Sequence, residues 1–102
     1  MNILTNNLPD VLAPVSSFYE TAANDAQLSA THISLYFALY HQWTINKYIS
    51  PFQIKREIIM QAAKISSRQT FNKCMRLLHI AGYIKYIPSY NPDVCSMVCI
   101  NS

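Results

Sequence analysis

The sequence predicts a mainly α-helical domain that ends in a small antiparallel β-hairpin. Hydrophobic residues recur at helical spacing in several segments before residue 80. Gly82, the single glycine of the chain, follows the last of these segments, and two β-prone runs, "YIKYI" and "SMVCIN", come after it. Because the chain has 102 residues, of which 51% are hydrophobic and 13% charged, we expect one folded domain.

The first 28 residues are predicted to form an N-terminal arm and helix that precede a domain over residues 29–102. Residues 1–14 contain two prolines and predict an irregular segment. Ser17 and Glu20 have the spacing of a capping box, which predicts a first helix at about 17–26.

The segment "SATHISLYFALYHQWTIN" predicts a longer helix, which Ser29 or Thr31 would cap. Its residues 33–43 are apolar on most faces, and such a helix is usually buried on most faces. Either the first helix or a second subunit is expected to cover it.

After Ser50-Pro51 the pattern predicts a brief strand at "PFQI", a short helix at about 55–63 and a tight turn at "KIS". Ser66 and Gln69 then have capping-box spacing at the start of an amphipathic helix. Its apolar face carries Phe71, Cys74, Met75 and Leu78, and its polar face carries Arg68, Gln69, Asn72, Lys73 and Arg76.

Gly82 fits the position just after the end of this helix, where the backbone is often left-handed and glycine is favoured. Tyr83 would then contact the helix, and the run before Pro88 would form the first hairpin strand. From residue 33 the order is helix, strand, helix, turn, polar-faced helix, strand, loop, strand. This is the order of a winged helix-turn-helix, here with an extra N-terminal helix.

Charge is divided unevenly along the chain. Residues 1–46 carry three acids and no Lys or Arg, whereas all eight basic residues follow from Lys47 onward with only two acids. Five bases and no acid lie between Lys64 and Lys85. A concentrated positive region suits a polyanionic partner, and the alternative is a face that the bases simply keep soluble.

Other classes of function have little support. No apolar run is long enough to span a bilayer and no signal peptide is evident, so we expect a cytoplasmic protein without a membrane partner. The three cysteines suit reduced thiols. Since the His and Cys residues lack metal-ligand spacing and no nucleophile stands beside a base, we expect no metal, no cofactor and no enzymatic activity.

The elements "KISSRQTFNKCMRLLH" and "GYIKYIPSYNP" resemble those of small winged-helix proteins encoded on bacterial plasmids, conjugative elements and phages. They are also similar to the amino-terminal domain of phage replisome-organiser proteins. The resemblance covers about residues 31–100. It implies double-stranded DNA as the partner, with the 67–80 helix in the major groove and the 83–100 hairpin against the backbone.

The resemblance carries over to individual positions. The loop "NPDVCS" departs from the pattern because it has Asp93 and no base, which leaves open whether the wing touches DNA. The predicted groove-facing residues are Ser67, Arg68, Gln69, Asn72, Lys73 and Arg76, and the predicted backbone and wing contacts are Lys64, Lys85 and Tyr90.

Two hypotheses follow. The first is a double-stranded DNA-binding protein that acts as a transcriptional regulator or a replication or transfer accessory factor of a mobile element. It would be a homodimer, formed through the N-terminal helix and the 33–43 helix. The alternative is a winged-helix protein-interaction adaptor that does not bind DNA and docks through aromatic residues of 36–43.

Overall fold

The computed structural model describes residues 13–91 and 93–101, so most of the predicted arm lies outside the described residues. Within them the chain forms four helices and a three-stranded antiparallel sheet. The elements are α1 (Ala13–Ala22), α2 (Ala30–Ile45), β1 (Phe52–Ile54), α3 (Arg56–Ala63), α4 (Arg68–Ile80), β2 (Ile84–Ile87) and β3 (Ser96–Ile100). None of the helices in this described part combines the length and the hydropathy needed to cross a membrane.

The first helix lies four residues earlier than the sequence predicted. Ser17 and Glu20 are inside α1 and do not cap it. Pro14 occupies the first turn, where its missing N–H costs no hydrogen bond. Downstream, Asp25 Oδ1 accepts the Gln27 N–H at 2.9 Å. Side chains of this kind compete with helical backbone bonding, which explains why the helix does not continue to residue 26.

Helix α2 lies at the centre of the molecule, as its apolar character predicted. Ser29 is its N-cap, one of the two predicted caps. Leu35, Tyr36 and Leu39 are fully buried, and the Phe18 ring of α1 stacks on Tyr36 with 3.7 Å between ring centroids. The first helix therefore covers part of α2 within one chain.

The short helix α3 and the turn that follows it confirm the predicted pattern to within one residue. The Ser34 hydroxyl of α2 donates to the Ala63 carbonyl at 2.7 Å, which fixes the end of α3 against α2. Lys64 then adopts a left-handed conformation with φ 63°. Four residues, 64–67, separate α3 from α4.

The predicted cap of α4 was wrong by one residue. Ser67, and not Ser66, is the N-cap, and its side chain accepts the Thr70 N–H at 3.3 Å. The two serines are adjacent, so the capping-box spacing to Gln69 selected the wrong one. Buried Phe71, Cys74, Met75 and Leu78 form the predicted apolar face.

The end of α4 is as the single glycine predicted. Gly82 has φ +87°, and its N–H bonds the His79 carbonyl at 3.1 Å. The Tyr83 N–H bonds the Leu78 carbonyl at 3.0 Å. This pair of bonds is the Schellman motif, in which a left-handed residue closes a helix. The chain turns there into β2.

The sheet is larger than the predicted hairpin because β1 joins it. The strand order is β1-β3-β2, so β3 lies in the middle and pairs antiparallel with both neighbours. Phe52 and Tyr86 both pair with Val98 on the face that packs on the helices. Because β1 is only three residues long, its pairing partner could not be read from local pattern alone.

Candidate nucleic-acid interface

Helix α4 presents the polar side chains that the sequence singled out. They are exposed because buried residues occupy the opposite side of the helix. The N-cap Ser67 is also exposed. The predicted residues of the helix, Arg68, Gln69, Asn72, Lys73 and Arg76, are all exposed, as are Thr70, His79 and Ile80. Asn72, Arg76 and His79 are spaced by four and three residues and therefore share one side of this face.

The bases of this region are not neutralised by nearby acids. In residues 13–91 and 93–101 the only ion pair joins Arg56 and Glu57 at 3.7 Å, and it lies outside α4. The side chains of all five bases between 64 and 85 are exposed. Uncompensated positive charge on an exposed surface attracts polyanions.

Lys64 lies in the turn just before α4. Its left-handed backbone forms the turn before the helix, and its side chain is exposed. The first N–H groups of a helix have no intrahelical acceptor. The Ser67 side chain accepts the N–H of Thr70. The N–H groups of the residues just before Thr70 can bind an anion at the end of α4 where Lys64 lies.

The two predicted wing residues lie in different places. Lys85 pairs with Cys99, on the sheet face opposite the one that packs on the helices. Tyr90 lies in the loop after β2 and is 92% exposed. Tyr90, and not Lys85, lines a cavity together with residues of α4.

A cavity of about 450 Å³ lies between α4 and the segment from β2 into the following loop, and we call it the α4–β2 cavity. Its polar lining comes from α3, α4, β2, the loop after β2, and β3: Arg56, Asn72, Arg76, His79, Tyr86, Ser89, Tyr90 and Ser96. Three of the predicted site residues, Asn72, Arg76 and Tyr90, thus share one concave surface.

The sequence reasoning missed Arg56, His79 and Tyr86 as members of this surface. His79 could have been found, because it continues the Asn72–Arg76 side of α4 by helical spacing. Its Nδ1 accepts the backbone N–H of Tyr86 at 3.0 Å, which ties the end of α4 to β2. Arg56 is distant from Tyr90 in sequence, and no local pattern indicates that they line one cavity.

The aromatic residues of 36–43, which carried the adaptor hypothesis, are largely covered. Tyr36 and Trp43 are buried, and Tyr40 is half-buried. Phe37 is 42% exposed and is the most accessible ring of this segment. The aromatic surface available for docking through residues 36–43 is therefore small.

The thiols are free and separate. Cys74 is buried on the apolar face of α4, and burial raises its pKa. Cys95 and Cys99 are half-buried near and within β3. Across the described ranges, no group of three or more His, Cys, Asp or Glu side chains is placed to hold a metal ion.

The chain matches no known protein-family model, no curated protein and no solved structure.

Proposed function

We propose that this chain is a winged helix-turn-helix protein that binds double-stranded DNA. In this proposal α3 and α4 form the helix-turn-helix, α4 enters the major groove, and the β2–β3 hairpin is the wing. The order of helices and strands and the antiparallel β1-β3-β2 sheet support it. The observation that carries it is the exposed, acid-free basic face formed by α4 and its flanks.

The chemistry of this face suits base edges and phosphates. Arginine can bond guanine O6 and N7, and Gln and Asn can bond adenine N6 and N7. Arg68, Gln69 and Asn72 stand in the first turns of α4, the part of a recognition helix that reads bases. Lys64 and Lys73 suit phosphates, which position the helix without reading sequence.

The biological role in this proposal is that of a transcriptional regulator or a replication or transfer accessory factor of a mobile element, acting in the cytoplasm. It includes a homodimer formed through α1 and α2. Because most of α2 is covered within one chain, such an interface would use the large apolar side chains of α1 and α2 that stay exposed, which are Tyr19, Phe37 and Ile45. Light scattering should give the mass of a dimer for the native chain and of a monomer for Phe37→Gln.

The proposal is tested by fluorescence anisotropy of a labelled random-sequence duplex over a series of salt concentrations. We expect binding that weakens steeply with salt, with a slope of about −0.9 per neutralised phosphate. Arg68→Gln and Lys73→Gln should each weaken binding at low salt. Lys64→Gln should reduce the slope by about one.

Lys47→Gln is the matched control, since it removes one charge from an exposed position in the turn after α2. It should leave both the affinity and the slope close to native. The proposal fails if the folded protein does not bind duplex at low salt. It also fails if Lys47→Gln weakens binding as much as Lys73→Gln does.

A further inference from the structure

The α4–β2 cavity has the size of a small-molecule site. Its volume of about 450 Å³ lies within the range of roughly 300–1,000 Å³ that ligand pockets occupy. It is built on rigid elements, because the His79–Tyr86 hydrogen bond at 3.0 Å fixes α4 to β2 at one side. A flat duplex-binding surface does not need such a recess.

Two guanidinium groups line this cavity, from Arg56 and Arg76. No acid is among its lining residues within the described chain. The closest compensating charge is Glu57, whose carboxylate lies 3.7 Å from Arg56 Nη2. The cavity therefore suits an anion, and planar guanidinium groups suit a phosphate in particular.

One donor of Arg56 has no partner. Its Nε is shielded from solvent and bonds no acceptor in the described residues. A buried donor without an acceptor is costly to the folded state. His79 adds a second donor: since its Nδ1 accepts a backbone N–H, the neutral ring carries its proton on Nε2.

The same cavity offers aromatic surface. Tyr90 is 92% exposed and Tyr86 is half-buried, and both line it. An aromatic ring beside a cationic group is the combination on which proteins stack nucleobases while they hold the phosphate. Asn72 supplies an amide that can donate to or accept from a base edge.

We propose that the α4–β2 cavity binds a single nucleotide, with its base against Tyr90 and its phosphate at Arg56 and Arg76. The nucleotide has two possible sources: a free mononucleotide, or an unpaired nucleotide at the end of a DNA strand. The inference deepens the proposed function in part, because Asn72 and Arg76 belong both to the cavity and to the exposed face of α4. Arg56 and Tyr86 belong to the cavity alone.

The first arm of the test is a titration of the isotope-labelled protein with deoxyadenosine monophosphate, followed by amide chemical shifts. We expect shifts at residues that line the cavity. Deoxyadenosine and inorganic phosphate should each bind at least about tenfold more weakly, because each lacks one of the two recognised groups. Arg56→Gln and Tyr90→Ala should each weaken nucleotide binding about tenfold.

Lys47→Gln is the matched control, since Lys47 is an exposed base that does not line the cavity. It should bind the mononucleotide as the native chain does. Thermal unfolding of each variant checks that it is folded. Because Tyr90 is almost fully exposed, its replacement leaves the core intact.

The second arm compares a blunt duplex with the same duplex carrying one unpaired 3′ or 5′ nucleotide. A preference for an unpaired end that Tyr90→Ala removes assigns the DNA strand as the source. Mononucleotide binding without this preference assigns the free ligand. The inference is overturned if millimolar mononucleotide shifts no cavity residue and neither overhang is preferred.

These outcomes are distinguishable from failure of the proposed function. If the blunt duplex binds with the expected salt dependence while both nucleotide arms are negative, the inference fails alone. If the mononucleotide binds and the blunt duplex does not, the proposed duplex function fails and the cavity site stands.

Discussion

Lys64 combines a conformational cost with a proposed DNA contact. Its backbone is left-handed, with φ 63°, at the end of α3. The Lys64 N–H donates to the Gln61 carbonyl, and the Ile65 N–H donates to the Met60 carbonyl. Gly82 occupies the equivalent position after α4. The left-handed conformation destabilises a residue with a Cβ by about 1–2 kcal/mol, whereas it does not destabilise glycine.

Lys64→Gly should therefore raise the free energy of unfolding while it weakens DNA binding. We expect a gain of about 0.5–1 kcal/mol, because the relief of steric strain exceeds the extra backbone freedom of glycine in the unfolded chain. Urea unfolding measures it. Gln61→Gly, inside α3, is the control and should lose about 1 kcal/mol. A loss of stability in Lys64→Gly would show that the left-handed backbone of Lys64 is not strained.

His32 makes the start of α2 sensitive to pH. Its Nδ1 accepts the Ser29 N–H at 3.0 Å, as the reciprocal half of a capping box. Burial lowers the pKa of His32 and outweighs the opposing effect of Asp25. Only the neutral ring can accept this bond, so the folded state disfavours protonation.

The contribution of this cap to the free energy of unfolding should be complete above the ordinary histidine pKa of about 6.5. It should fall as the pH drops through the lower pKa of the folded state. His32→Gln keeps an acceptor at the same position but does not titrate there. Urea unfolding at several pH values between 5 and 7.5 should show a shallower decline for His32→Gln than for the native chain. Equal slopes in the two proteins would mean that the cap does not titrate.

At the scale of elements, α1 is packed into the core that the other helices share. Phe18 is 3% exposed, stacks on Tyr36 and meets the Tyr83 ring edge-on at 5.1 Å. The Tyr83 hydroxyl donates to Asp25 Oδ2 at 3.0 Å. The segment between α1 and α2 is therefore fastened to the turn between α4 and β2.

Phe18→Ala should cost about 3–5 kcal/mol of unfolding free energy, because it leaves a cavity and removes the stack on Tyr36. Ser17→Ala is the control. Ser17 is exposed on the same helix, so the change should alter stability by less than about 0.5 kcal/mol. Similar small effects of both changes, measured by urea unfolding, would show that α1 is not part of the folded core.

Local chemistry explains which elements the sequence could predict. The end of α4 was predictable because a helix often closes with a left-handed residue and Gly82 is the one glycine in the chain. The two faces of α4 were predictable because its apolar residues are regularly spaced. The left-handed residues Lys47, Tyr48 and Lys64 were not, since neither lysine nor tyrosine signals positive φ. The pairing of β1 with β3 and the presence of Arg56 and Tyr90 in one cavity depend on tertiary packing, which local pattern does not encode.

At the scale of the whole molecule, charge is divided along the chain whereas the core is shared. Residues 13–46 supply α1 and α2, which carry no Lys or Arg, and both they and the later elements contribute buried residues to one core. The part from Lys47 onward supplies all the bases and the proposed DNA surface. Because the bases of α4 are exposed on the side opposite its buried residues, their replacement by Gln should weaken DNA binding and leave stability close to native.

The central claim is that the exposed face of α4 binds double-stranded DNA, and amide chemical-shift mapping with a blunt duplex of about 15 base pairs tests it most directly. We predict shifts concentrated at residues 64–76 that shrink as salt is added. The same titration of Arg68→Gln should show smaller shifts in this range. No shifts at low salt, or shifts confined to α1 and to Phe37, would contradict the claim.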